Sequence, residues 1–281
     1  MSGEIGGIGQ TFNDLSYGDL VLEATSTGGI TIDTDDLFTG SHGLTILSAG
    51  NVTFDSSVQN AGTGNITVLA GWDGTTTDPA DFGNAGVFGN NGGAVVVGGA
   101  SAYGNPAAIG TAGGTLTVLA ASLTVDSDNG DAQIGYHGDG TGDINVQTTG
   151  MVTLIGGSLV SGLIAQIGNG GGDVTGAVGG NVSVATAGGD VTVSALGDDS
   201  AATIGALGAG GAALSGDVTV NTGGGALSLL SEAAGSYAQI GNWVTSSSDA
   251  DISGNIVIDA GAISLVSTGP FSSSQIGAGN Y

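Results

Sequence analysis

The segment DSDNGD sets three carboxylates, Asp126, Asp128 and Asp131, around one glycine. Alternating acids ahead of a tight glycine turn form the front of a calcium loop, which gathers several oxygen ligands and closes on a bidentate glutamate. No glutamate follows at that spacing, and Asp and Asn also favour turns through their own local hydrogen bonds. Calcium at Asp126, Asp128 and Asp131 is thus the one cofactor expectation, and it rests on an incomplete motif. Asp33-Thr34-Asp35-Asp36 and the pair Asp139 and Asp143 present the same ligand types more sparsely. The two histidines, His42 and His137, are too few and too far apart in the repeat for a zinc site. No Ser-His-Asp set and no carboxylate pair suited to glycoside cleavage can be drawn. The glycine runs GNGGGDV and GGAVVVGG lack the Lys-Ser/Thr step of a phosphate loop. The expectation is a protein that is not an enzyme.

Composition narrows the partners. Among 281 residues there is no Lys and no Arg, against 25 Asp plus Glu, for a formal charge of −25. Such a chain has nothing with which to neutralise phosphates, which argues against nucleic acid and anionic membrane surfaces. It also cannot form a Lys or Arg salt bridge with itself. With no cysteine, there is neither a disulfide framework nor a thiolate metal site. Glycine contributes 59 residues, yet hydrophobic residues still make up 40%, which points to a repetitive folded structure rather than a disordered one. The opening MSGEIGGIGQ has no basic or apolar region of a signal peptide. The uncharged stretch 151–167 approaches the length of a bilayer span, but its V-T-L and A-Q-I pieces fit the repeat, so it is read as two strands.

The elements that must position these residues come from an internal repeat. Apolar–polar–apolar triplets recur in pairs, each pair followed by an Ile or Leu beside glycine. First strands include Ile144–Val146, Val182–Val184, Val218–Val220 and Ile256–Ile258. Second strands include Val152–Leu154, Val191–Val193, Leu227–Leu229 and Ile263–Leu265. Third strands end at Ile167, Ile204, Ile240 and Ile276, within the recurring AQIG, ATIG and SQIG. Short period-two segments bounded by Gly, Asn and Asp are strands with one buried face. Three per repeat describe an all-β, right-handed parallel β-helix of about eight coils, with one domain over residues 1–281. Residues 1–100 form its less regular part, with a long insertion near 71–93, and residues 101–281 its regular part.

Counting alternation from the inward isoleucines, Gln133, Gln166, Gln239 and Gln275 form one outward column, interrupted by Thr203. Stacked amides at strand spacing form a structural ladder. The middle positions of the second strands give a second column: Thr31, Thr53, Val96, Thr124, Thr153, Thr192, Ser228 and Ser264. A flat hydroxyl array of that kind makes an ice-binding solenoid the alternative function, although Thr is also an ordinary strand residue. The sequons at Asn51, Asn65 and Asn181 each open a strand, which accounts for them without glycans. Glu4-Ile5-Gly6 resembles the closing Gln275-Ile276-Gly277, so the chain is expected to begin and end at the same phase of the repeat, and its uncapped edges to pair with another copy.

Taken together, LTILSAGNVTFDSS, GNITVLAGWDGTTTD, AQIGYHGDGTGDINV and YAQIGNWVTSSSDADISGNIVI resemble the β-helical shafts of filamentous haemagglutinin-like bacterial adhesins exported by two-partner secretion. The resemblance runs over essentially the whole chain at the level of the repeat. It implies a secreted or cell-surface rod that serves adhesion, aggregation or matrix formation. Its implied partners are itself, end to end or laterally, and glycans or other cell surfaces. A carbohydrate-active β-helix enzyme is the lesser alternative.

Overall fold

The computed structural model describes residues 3–4, 18–76, 92–98, 106–245 and 251–280. Eight coils of three strands stack in parallel register. The first coil uses Leu20–Ala24, Ile30–Ile32 and Asp36–Phe38, and the last uses Ile256–Asp259, Ala262–Ser267 and Ser273–Ile276. First strands form one eight-stranded sheet and third strands another. Second strands form a nine-stranded sheet, because Gly3–Glu4 adds a strand beside Ile30–Ile32. Glu4 pairs with Thr31. This corrects the expected phase of the start: Glu4 belongs to the second-strand sheet, not the third, and Ile5 and Gly6 lie outside the described residues. The uncharged stretch 151–167 is indeed two strands, Val152–Gly156 and Ile164–Ile167. No helix in the described residues is long and apolar enough to cross a membrane.

Period-two alternation sends every second side chain inward, and register stacks like on like. Val152, Val191, Leu227 and Ile263 are successive partners in one column, and Ile134, Ile167, Ile204 and Ile240 in another. Their side chains merge into one core running from Ile30 to Ile240.

The corners between strands carry a second kind of column, made of Asp and Asn. Ahead of five of the first strands, one side-chain oxygen accepts the backbone N–H of the equivalent residue one coil on. Asp143 Oδ1 takes Asn181 N at 2.8 Å, Asn181 takes Asp217 N at 3.0 Å, and Asp217 takes Asn255 N at 2.7 Å. Asp19 and Asn65 do the same for Gly43 and Thr115. Short Asx side chains thereby extend the hydrogen-bond ladder around bends where backbone pairing lapses.

Two departures from a bare helix matter for function. Gly71 and Gly93, the ends of the expected insertion, lie close enough that a Cβ on Gly71 would meet Gly93 N at 2.7 Å. The excursion therefore leaves and rejoins at one corner; residues 77–91 of it lie outside the described residues. Beside it Trp72 packs on Leu47, Leu69 and Leu119, an apolar cluster separate from the main core. In the later coils, loop sequence after the third strand forms two further three-stranded sheets, Leu207–Gly208, Trp243–Val244 and Gly279–Asn280 in one, Ala177–Val178, Ala213–Leu214 and Asp251–Ile252 in the other. This outer layer has its own small cores, one around Leu207 and Trp243 and one around Val178, Leu214 and Val244.

Candidate functional site

The structure does not gather Asp126, Asp128 and Asp131 into one ligand set. Asp126 Oδ1 accepts Asp128 N at 3.1 Å, Asp128 Oδ1 accepts Ser158 N at 3.1 Å and the Ser158 hydroxyl, and Asp131 Oδ1 accepts Ile164 N at 2.8 Å. Each carboxylate is committed to backbone of its own turn or the next coil. Among the described residues, no group of three His, Cys, Asp or Glu could hold a metal ion. The sparser acids divide similarly: Asp35 accepts Ser57 N and Asp143 accepts Asn181 N. His42 lies 3.5 Å from Asp19 and His137 3.6 Å from Asp173, both exposed pairs at different coils. All three sequon asparagines are corner acceptors, Asn51 for Ala94 N, Asn65 for Thr115 N and Asn181 for Asp217 N.

The glutamines do form one register column: Gln133 pairs with Gln166, Gln166 with Thr203, Thr203 with Gln239, and Gln239 with Gln275. The expected ladder of amide on amide is replaced by bonds from amide to backbone. Gln133 Nε2 donates to Gly168 O at 2.8 Å, Gln166 Nε2 to Gly205 O at 3.1 Å, and Gln239 Nε2 to Gly277 O at 3.0 Å. The reason is the glycine next door. Gly135, Gly168, Gly205, Gly241 and Gly277 all have φ between +129° and +159°. A Cβ on Gly168 would sit 1.8 Å from Gly205 O, so only glycine lets the next coil's carbonyl approach. That carbonyl is turned out of the ladder and needs a donor, and the glutamine one coil back supplies it. Gln133, Gln166 and Gln239 are buried in consequence, while Gln275 in the last coil is exposed.

Where the outer layer begins, the third-strand face holds a groove of about 420 Å³. Leu37, Pro106, Ala107 and Ala108 give it an apolar floor, and Asp35, Asp131, Tyr136 and His137 its polar and aromatic walls. Its shape is fixed by amides already in use. Gln59 Nε2 donates to Gly135 O at 3.3 Å while Gln59 Oε1 accepts His137 N at 2.9 Å. Asn169 Oδ1 accepts Tyr136 N at 2.9 Å from the far side. Burial pushes the Asp131 carboxyl above its ordinary range, against the lowering effect of the Ile164 N–H and of His137. Burial likewise raises Asp36, but its side chain stands in the inward column with Val58, where Oδ2 is enclosed with no hydrogen-bond partner. The arrangement can bind through carboxylate acceptors beside an apolar surface. No sequence pattern announced it, since its lining is drawn from four coils, between Asp35 and His137.

The hydroxyl column is also in register over all eight second strands, Thr31 on Thr53, Thr53 on Val96, Val96 on Thr124, and on to Ser228 on Ser264. Family models, curated proteins and solved structures contain no match to this chain.

Proposed function

We propose that this chain is a structural, adhesive β-solenoid of the extracellular space or cell surface that forms or belongs to a filament, its coils continued in register within a longer protein or by further copies. The observation that carries this reading is the last coil, whose apolar column residues are half exposed and would be covered by a further coil, whether of a longer chain or of another copy. Ile263 and Leu265 stand in the inward columns beneath Leu227 and Leu229. They are 50% and 45% exposed, whereas Leu227 and Leu229 are 0% and 1%. Ile256, Ile258 and Ile276 are likewise only partly buried against the core. One more coil in the same register would complete all five. Half-burying five aliphatic side chains is worth on the order of 5 kcal/mol before the cost of association, and the strand edges would gain their missing hydrogen bonds. The resemblance of the repeat to haemagglutinin-like shafts favours a surface role, and the −25 charge favours an assembly governed by salt.

Negative-stain microscopy with sedimentation tests the reading. Fibres that lengthen with concentration and disappear in Ile263→Glu/Leu265→Glu are expected; monodisperse monomers of the unaltered protein at every concentration and salt would sink it. A second reading, ice binding, is favoured by the eight-position Thr/Ser/Val column on one sheet. Its test is thermal hysteresis, lost when Thr124 and Thr153 become bulky.

A further inference from the structure

We propose that the groove on the third-strand face binds a small organic cation, a primary ammonium carried on a hydrophobic body, independently of any assembly into filaments. The argument starts from what this chain lacks. With no Lys or Arg anywhere, no side chain of its own can bring a permanent positive charge to Asp35 or Asp131. At several corners of the fold that lack is met by backbone N–H groups. In the groove it is met in part: Asp131 and Asp35 each spend one oxygen on a backbone donor. Removal from water is the main reason the Asp131 carboxyl is pushed up.

The rest of the lining selects the kind of cation. The carboxylates do not converge as a metal set, so a compact divalent ion has no cage here. They instead border Leu37, which is 71% exposed, and the alanine floor beneath Tyr136. An apolar body covers that floor, the ammonium reaches the carboxylates, and the Tyr136 ring offers its face to the charge. The cavity has the size usual for small-molecule sites, and its walls are held by the Gln59 and Asn169 bonds before any ligand arrives.

The test is titration calorimetry with 2-phenylethylamine at about physiological ionic strength, where diffuse attraction to the charged chain is screened. One saturable site per chain is expected, weakened at least tenfold in Asp131→Asn and in Leu37→Ser. The first substitution keeps the oxygen that accepts Ile164 N–H, and the second alters an exposed side chain, so both variants should fold; circular dichroism checks this. The neutral isostere 2-phenylethanol should bind at least tenfold more weakly than the amine. Nα-acetyl-lysine methylamide separates sources: equal or tighter binding assigns the site to a lysine side chain of a partner, weaker binding to a free amine. The proposal is overturned if no saturable site appears, if the alcohol binds as well as the amine, or if both variants bind like the unaltered chain, which would mean counterion uptake only.

Discussion

The outer face of the third-strand sheet is built in two ways within one molecule. In the first two coils the long side chain follows the inward residue: Leu37 after Asp36 and Gln59 after Val58. In the last five coils the order is reversed, with Gln or Thr before the inward isoleucine and glycine after it. The third coil is the hinge of this change, where Gly110 is already in the glycine column but Ala108 fills the amide position. The two halves also differ in cover. Leu37 is 71% exposed, whereas Thr203 is 1% exposed beneath the outer layer. Glycine at the exit lets backbone stack on backbone, so each loop leaves at the same place and successive loops pair into the added sheets. The groove lies where one rule gives way to the other.

The sharpest test of this difference is a methyl group. Gly168→Ala places Cβ on the Gly205 carbonyl at a φ of +159°, and should cost about 3 kcal/mol or more. Gly162→Ala, at φ +76° with open space around its Cβ position, should cost only about 1 kcal/mol of backbone strain. Denaturant melts of the pair distinguish them, and equal losses would remove the close-packing account of the column.

Next in size is the outer layer itself. Trp243 packs on Leu207 and Ala201, with the Tyr237 ring centroid 5.1 Å from its own. Trp243→Ala should cost about 3 kcal/mol. The two tryptophans, Trp72 among the early coils and Trp243 in the outer layer, report separately on the two halves. In Trp72→Phe, fluorescence follows Trp243 alone. If its transition precedes the loss of strand signal in circular dichroism, the layer is an accessory; coincidence would make layer and coils one cooperative unit.

Smaller and opposite in sign are two changes within the amide column. Gln166→Ala strips the donor from the carbonyls of Gly205 and Asn169, at a cost of about 2 kcal/mol. Thr203 Oγ1 is buried with no hydrogen-bond partner, so the isosteric Thr203→Val should stabilise by about 1 kcal/mol. A destabilised valine variant would mean that the hydroxyl is satisfied by water.

The eight coils and their strand phases were legible in the sequence because alternation and glycine punctuation recur at every turn, and each inward Val, Ile or Leu repeats the same message. The phase of Glu4 was not, since a three-residue likeness to Gln275–Gly277 carries no alternation. The roles of the acids were hidden for a different reason. Asp131 or Asp143 as a metal ligand and as a corner acceptor are the same residue type at the same turn, and only the neighbouring coil's N–H, some thirty-odd residues away, decides between them. The glutamine column was legible as a column, but not its partner, because the outward-turned carbonyl exists only once glycine has taken a positive φ.

The smallest expected effect uses pH to separate the halves. The carboxyls raised by burial, Asp36, Asp55, Asp126 and Asp131, all belong to the first four coils, Asp55 being raised also by nearby Asp33. A group whose native pKa lies above the ordinary 3.8 holds its proton more tightly folded than unfolded. Its penalty is therefore complete at neutral pH, relieved as pH falls through the native value, and gone below the unfolded one. Asp73 runs the other way: N–H donors from Thr76 and Thr75 lower it to about 2, so its contribution is present above 3.8 and lost as pH falls toward 2. Between pH 7 and about 4.5 the first effect acts alone. The Trp72 melting temperature should then rise by a few degrees more than that of Trp243. Parallel shifts would assign the gain to relief of the overall −25 charge and not to these four desolvated groups.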